Sequence, residues 1–212
     1  MWVVVAVVAG FLAGAWIRAF AGRFEAEPED TRRELREALL ARPALLGNPV
    51  VPVAAAVLCG LVVWRAAPPY LPGVLFFVLV GTALAVIDWR TFRLPDLITL
   101  PSYPVLAVLL VPTGELPRAL LGGLALALVY GVMWFVRPSA LGLGDVKLAG
   151  LIGMVAASVS WQALVVAAVA GQVLGAVYAV GLLVTRKGNS KTEFPFGPFM
   201  ILGCVGAVLL AV

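Results

Sequence analysis

The sequence contains no histidine and only two cysteines among its 212 residues. Zinc sites in proteins are usually built from these two residue types, so a centre of that kind is excluded. Cys59 and Cys204 lie in separate apolar stretches and form no C-x-x-C pair, which predicts two buried, unreactive thiols. We therefore expect no metal site.

Charged residues are also scarce, at 12% of the chain, whereas 63% of it is hydrophobic and the mean hydropathy is +1.07. A soluble domain typically has about 45–50% apolar and about 25% charged residues. This composition excludes a disordered protein, a secreted disulfide scaffold and an ordinary cytosolic enzyme. No basic run is interleaved with aromatics, so nucleic acid is not an expected partner. The composition predicts an all-α, polytopic transmembrane protein embedded in a lipid bilayer.

Eight apolar stretches are candidates for membrane-spanning helices, which need about 20 residues each. They cover roughly residues 2–20, 50–66, 70–88, 97–113, 118–136, 146–159, 162–184 and 196–212. The first is predicted to be a retained anchor rather than a cleaved signal peptide, because Arg18 and Arg23 follow it and no basic residue precedes it. The chain is thus divided into a first span over 1–20, a short charged segment over 21–49 and a membrane domain over 50–212.

The basic residues are distributed unevenly among the loops. With eight crossings, 13 of the 15 lysines and arginines fall in the odd-numbered loops, and the two exceptions are Arg65 and Arg118. Cytoplasmic loops carry an excess of positive charge. The odd-numbered loops, including the segment 21–49, are therefore predicted to face the cytoplasm, and both termini to face outward.

The charged segment holds 11 of the 26 charges of the chain between residues 23 and 42. Glu29, Arg33 and Glu37 follow one another at a spacing of four, which favours a helix with opposite charges on one face. We predict a helix over 25–41 that is solvated, in preference to one whose leucines rest on the membrane or on a neighbouring span.

Few acidic residues lie outside that segment. They are Asp88, Asp96, Glu115, Asp145 and Glu193. Glu115 and Glu193 fall in polar loops and are expected to be solvated. Asp96 follows Pro95 and precedes an apolar run, so it is predicted to be the N-cap of the fourth span.

Asp88 and Asp145 differ from these, because both lie at the predicted cytoplasmic ends of spans and hence at one membrane depth. Acidic residues at such places are costly and usually functional. Two carboxyl groups that share a proton can act as acid and base on a water molecule, without a metal or a histidine. The alternative is structural: Asp88 pairs with Arg90 or Arg93, and Asp145 pairs with Lys147.

Two further motifs lie at span boundaries. Gly142 and Gly144 precede Asp145 and allow a close backbone approach, either for helix packing or for an extended substrate strand. The block 193–199 combines two prolines and a glycine with three phenylalanines. It begins the last span either as an ordinary helix start or as a non-helical wall beside a cavity.

Three blocks together resemble the bacterial type IV prepilin peptidases, which are G-x-G-D intramembrane aspartic proteases. The blocks are I-D-W-R-T-F-R-L-P-D over 87–96, G-L-G-D-V-K over 142–147 and P-F-G-P-F over 195–199, and the likeness covers about 70–212. It implies that 50–212 is a transmembrane aspartic peptidase domain with Asp88 and Asp145 as its catalytic pair. It further implies removal of the short basic leader of prepilins or pseudopilins, at the cytoplasmic face of the bacterial inner membrane.

The resemblance also suggests which residues meet the substrate. They are Gly142, Gly144, Lys147, Phe196, Gly197 and Pro198. For Lys147 three roles stay open: tuning Asp145, meeting a substrate carboxylate, or forming a plain surface ion pair.

The segment 21–49 departs from the fuller family pattern. Many members carry two C-x-x-C pairs there and also methylate the new amino terminus with S-adenosylmethionine, whereas this segment has no cysteine. We expect a short form that acts as a peptidase only, without a cofactor. Two other functions stay open, a proton-coupled transporter and a non-catalytic scaffold of a pilus or secretion machine. The particular pilin and the oligomeric state also stay open.

Overall fold

The structure is a computed structural model that describes residues 1–43, 47–138, 141–186 and 193–211. Within these ranges the chain forms nine α-helices and no strand. The helices are α1 (Trp2–Ala21), α2 (Thr31–Leu39), α3 (Val50–Arg65), α4 (Leu71–Thr91), α5 (Asp96–Leu110), α6 (Leu116–Val136), α7 (Leu143–Val159), α8 (Trp161–Val184) and α9 (Gly197–Ala211). Short 3-10 turns at Pro68–Tyr70 and Val111–Thr113 lie before α4 and after α5.

The predicted all-α, multi-span architecture is confirmed. Each of the eight predicted spans coincides with one helix, and α2 is the additional, charged one. Five helical segments of the described chain are long and apolar enough to cross a membrane, and α3 and α9 are shorter apolar helices. The total of eight crossings and the outward termini stay predictions. Lys187 and Lys191, which contributed to the predicted orientation, lie outside the described residues.

Helix α7 forms the centre of the bundle, because every residue from 148 to 158 is buried. Glycines allow its neighbours to approach closely. A Cβ atom at Gly153 in α7 would lie 2.4 Å from the carbonyl oxygen of Gly122 in α6. Likewise, a Cβ atom at Gly14 in α1 would lie 2.6 Å from Cα of Pro52 in α3. Helices in a membrane gain stability from such close packing, since burial from water does not drive their association there.

The charged segment forms a shorter helix than the predicted one over 25–41. Helix α2 extends over Thr31–Leu39, and Asp30 is its N-cap. A capping carboxylate satisfies the first free N–H groups of a helix, which is why the helix begins after it. The predicted spacing is partly realised: Arg33 pairs with Glu37 at 2.9 Å, whereas Glu29 precedes the helix.

One face of α2 is packed against the bundle, which corrects the expected fully solvated helix. Ala38 is buried in a cluster with Phe24, which follows α1, and with Ile87 of α4. Ile87 directly precedes Asp88. The charged segment is therefore held next to one of the two aspartates.

The two ends of the bundle are distinguished by contacts of α7. Asp145 is at its first turn, whereas Arg118 at the start of α6 donates to the carbonyls of Ala157, Ser158 and Val159 at its last turn, at 2.6, 2.7 and 2.9 Å. The turn between α5 and α6 thus lies at the opposite end from Asp145. This arrangement agrees with the predicted alternation of loops.

Candidate active site

Asp88 lies in the last turn of α4 and is 6% exposed. Its Oδ2 accepts the backbone N–H of Gly197, the first residue of α9, at 2.9 Å. A Cβ atom at position 197 would lie only 2.8 Å from that oxygen. The absence of a side chain at Gly197 therefore allows α9 to begin directly on the Asp88 carboxylate.

Asp145 is the third residue of α7 and is half-buried. Its Oδ2 accepts the backbone N–H of Gly142 at 3.1 Å, as is typical of an acidic residue in the first turn of a helix. Gly144 lies against the turn after α4, since a Cβ atom there would be 2.9 Å from Cβ of Leu94. The G-L-G-D block therefore positions Asp145 and brings α7 close to that turn.

The two aspartates line one open pocket of about 430 Å³. Gly142 and Gly144 also line it, together with the turn 92–96 and Thr31 at the start of α2. The sequence placed Asp88 and Asp145 at one depth, and the fold brings them into one cavity although 57 positions separate them. The pocket is thus formed at the place where four helices begin or end, namely α2, α4, α5 and α7.

The structural alternative for the two aspartates was an ion pair with a neighbouring cation. In the described part of the chain, Lys147 pairs instead with Asp96 and Arg93 with Glu34, and no salt bridge includes Asp88 or Asp145. Each aspartate accepts one backbone hydrogen bond. Both carboxylates therefore line the pocket without a described cation that neutralises them.

Lys147 forms the plain ion pair, which was one of its three open roles. Its Nζ donates to Oδ1 and Oδ2 of Asp96 at 2.6 and 2.8 Å, and its carbonyl accepts the hydroxyl of Tyr103 at 2.6 Å. The predicted N-cap role of Asp96 is wrong: Pro95 occupies the cap position, and no side-chain capping bond is formed there. Lys147 therefore joins α7 to the start of α5.

Loss of the Asp96–Lys147 pair is expected to reduce turnover of the substrate only a few-fold. Exposed ion pairs contribute about 0.2–1 kcal/mol, and these side chains are 54% and 32% exposed. Lys147→Gln, Asp96→Asn and the double variant are expected to show similar initial rates, because one interaction is lost in all three. A much larger loss in Lys147→Gln than in Asp96→Asn would show that Lys147 acts on Asp145 or on the substrate.

The block 193–199 is non-helical at first and then begins the last helix, but none of its residues is a wall of the described pocket. Residues 193–196 are non-helical, and α9 begins at Gly197. Of the three residues expected to meet the substrate, Gly197 contacts Asp88, whereas Phe196 and Pro198 are not among the described pocket walls. The ring of Phe196 lies against α8, where a Cβ atom at Gly175 would be 2.7 Å from it.

The sequence reasoning missed Thr31, Phe92 and Arg93 as pocket walls. Phe92 has a left-handed conformation with φ of 54°, and its N–H donates to the carbonyl of Asp88 at 2.9 Å. Phenylalanine rarely adopts this conformation, so the left-handed backbone of Phe92 was not predictable, although Phe92 lies in the block 87–96 that resembles the family motif. Arg93 could have been found from the sequence, because it lies in the block 87–96 that resembles a family motif. The sequence contains no such indication for Thr31. Among the described residues, no group of three His, Cys, Asp or Glu could hold a metal ion.

The sequence matches the model of one known family, and its relatives described below share one name. The model of the Type IV leader peptidase family matches residues 75–180, which include both aspartates. A protein of Escherichia coli (strain K12) is 32% identical over 216 residues, which cover 93% of this chain and 91% of that protein. A protein of Stutzerimonas stutzeri is 31% identical over 73% of this chain and 55% of its own length.

A relative from Aeromonas salmonicida (strain A449) is 32% identical over 57% of this chain. The match spans only 43% of that protein's length. All three relatives carry the name prepilin leader peptidase/N-methyltransferase. No solved structure matches the chain.

Proposed function

The chain belongs to the Type IV leader peptidase family, and on that premise we propose that it is a membrane-embedded aspartic endopeptidase. Its substrates are prepilins or pseudopilins, from which it removes the short basic leader. The observation that carries the proposal is the pocket shared by Asp88 and Asp145. Both carboxylates face it without a cationic partner among the described residues.

The backbone contacts of the two aspartates suit a mechanism with a bound water. Gly197 and Gly142 each bind the Oδ2 atom of one aspartate, which leaves the Oδ1 atoms for the water and the scissile carbonyl. The ionised carboxylate takes a proton from the water, and the oxygen of the water bonds to the carbonyl carbon of the substrate. The protonated carboxyl group donates its proton to the carbonyl oxygen. Collapse of the tetrahedral intermediate then re-forms the C=O bond and breaks the C–N bond. One of its hydroxyl groups returns a proton to the carboxylate that is then ionised, and the other carboxyl group passes the proton taken from water to the leaving amine.

The site is proposed to face the cytoplasm from the bacterial inner membrane. The pocket lies at the end of the bundle that carries the charged segment, and positive charge favours the cytoplasmic side. The apolar helix of the substrate would lie in the bilayer, with its leader reaching this end. The divisions 1–20, 21–49 and 50–212 then act as the first span, the cytoplasmic segment and the peptidase domain.

The absence of methyltransferase activity stays a prediction. The named relatives include N-methyltransferase in their names, among them the Escherichia coli protein that is matched over 91% of its length. The mass of the new amino terminus of the product, measured with and without S-adenosylmethionine, decides this point separately from cleavage.

Two hydroxyl groups inside the bundle give no support to the transporter. A proton relay through the bundle needs polar groups that point to one another. Instead, the hydroxyl of Thr82 donates to the carbonyl of Val78 at 2.7 Å, and that of Ser102 donates to Ile98 at 2.7 Å. Both hydroxyls are thus satisfied within their own helices.

The proposal is tested by coexpression of the wild-type protein with a panel of prepilins and pseudopilins. We expect a gel shift for at least one substrate, with a product that begins directly after the basic leader on amino-terminal sequencing. Membranes without the protein serve as the control. Failure to cleave any member of the panel, with the protein folded and inserted, would contradict the proposed function.

A further inference from the structure

The charged segment contributes a wall to the proposed catalytic pocket, and one arginine connects the two. Thr31, the first residue of α2, lines the pocket together with Arg93 from the turn after α4. Helix α2 has only nine residues, and its apolar contacts with the bundle are those of Ala38 and the partly buried Leu35. A short helix of this kind needs further contacts to hold one position.

Arg93 supplies these contacts from the pocket side. Its guanidinium donates to the backbone carbonyl of Glu25 and lies 3.7 Å from Oε1 of Glu34 in α2. The same oxygen of Glu34 accepts the backbone N–H of Glu25 at 2.7 Å. Arg93, Glu25 and Glu34 therefore form a closed set of contacts, which we call the segment clamp.

Burial makes the segment clamp dependent on the charge of Arg93. The side chain of Glu34 is 6% exposed, and in the described part of the chain its Oε2 has no hydrogen-bond partner. A buried carboxylate without a positive partner is strongly unfavourable. If Arg93 lost its charge, hydration of Glu34 would require the segment to move away from the turn.

We propose that Arg93 is a positioning residue, which through the segment clamp holds residues 25–31 in place, so that Thr31 forms a wall of the pocket in which the substrate leader binds. This inference deepens the proposed function and rests on it. It assigns the segment a role in substrate binding, whereas the chemical step stays with Asp88 and Asp145. Loss of the clamp should therefore raise KM and leave kcat nearly unchanged.

The test measures cleavage kinetics of a detergent-solubilised prepilin by the purified full chain. Arg93→Gln is expected to raise KM about tenfold, with kcat within about threefold of the wild type, since it leaves Glu34 as an unpaired buried charge. Arg93→Lys retains the charge and is expected to restore KM to within about threefold. Glu34→Ala removes both contacts of the carboxylate and is expected to raise KM as Arg93→Gln does, although Glu34 does not line the pocket.

A second measurement follows the position of the segment without any substrate. Limited proteolysis with a glutamate-specific protease, which cuts after Glu27 or Glu29, is expected to be about tenfold faster in Arg93→Gln than in the wild type. The matched control is Arg33→Gln in the same helix, since Arg33 and its partner Glu37 are 76% and 52% exposed. This control is expected to leave both KM and proteolysis unchanged.

The outcomes separate this inference from the function on which it rests. If the wild type cleaves but Arg93→Gln retains a wild-type KM, or loses kcat instead, the positioning role is overturned. The same holds if Glu34→Ala has no effect, because Arg93 would then act by direct substrate contact. If the wild type cleaves no prepilin, the proposed function fails and the inference fails with it, whatever the proteolysis shows.

Discussion

Asp88→Asn and Asp145→Asn are each expected to lower the rate of prepilin cleavage by more than about 100-fold, the usual contribution of general acid–base catalysis. Asparagine has nearly the size of aspartate and can still accept the N–H of Gly197 or Gly142, so the contacts at the site are retained. It cannot take up or release the proton that the mechanism requires. The measurement is the initial rate of the gel shift at equal protein amounts in the membrane.

Asp96→Asn provides the matched control, because Asp96 lines the same pocket but pairs with Lys147. This variant has the same aspartate-to-asparagine change, and its rate of prepilin cleavage is expected to be only a few-fold lower than that of the wild type. If either Asp88→Asn or Asp145→Asn cleaves at the wild-type rate, that aspartate has no catalytic role. If the Asp96 variant is equally inactive, the assignment of the pair to positions 88 and 145 is wrong.

Gly153→Ala is expected to destabilise the fold by about 1–3 kcal/mol, as overpacking of a tight contact does. The new methyl group would lie 2.4 Å from the carbonyl oxygen of Gly122 and 2.8 Å from its carbonyl carbon. Backbone atoms cannot yield as a flexible side chain does, so α6 and α7 must separate. The measurement is the unfolding midpoint in detergent, followed by circular dichroism.

Gly181→Ala is the matched control, because it is the same change in a helix and a Cβ atom there meets nothing within 4 Å. Alanine favours helix formation over glycine by about 0.5–1 kcal/mol, so this variant is expected to be as stable as the wild type or slightly more stable. Equal midpoints for Gly153→Ala and the wild type would contradict the close packing of α6 on α7.

The aspartate pair was predictable because it depends on features that are local in the sequence. A carboxylate at the boundary of an apolar run is conspicuous. Asp88 directly follows such a run, and Asp145 lies just before one. Their family blocks are also contiguous in sequence. The resemblance drawn from these blocks is confirmed by the matched family.

The errors concern interactions between elements that are distant in sequence. Asp96 and Lys147 are 51 residues apart, and neither carries a local signal that they meet. The capping role assigned to Asp96 was a local inference from Pro95, and the contact with α7 prevailed. The extent of α2 is an error of another kind, because its start is set locally by the side chain of Asp30, which accepts the N–H groups of Arg32 and Arg33.

The sequence by itself determined the membrane class, the positions of the apolar helices and the two aspartates that need an explanation. Hydrophobic runs and isolated charges carry this information locally, since the bilayer requires a nearly continuous apolar segment for each crossing. Only the tertiary structure decided that the aspartates share one pocket and that Arg93 pairs with Glu34. Such pairings depend on how helices pack, and that depends on glycines whose partners are distant in the chain.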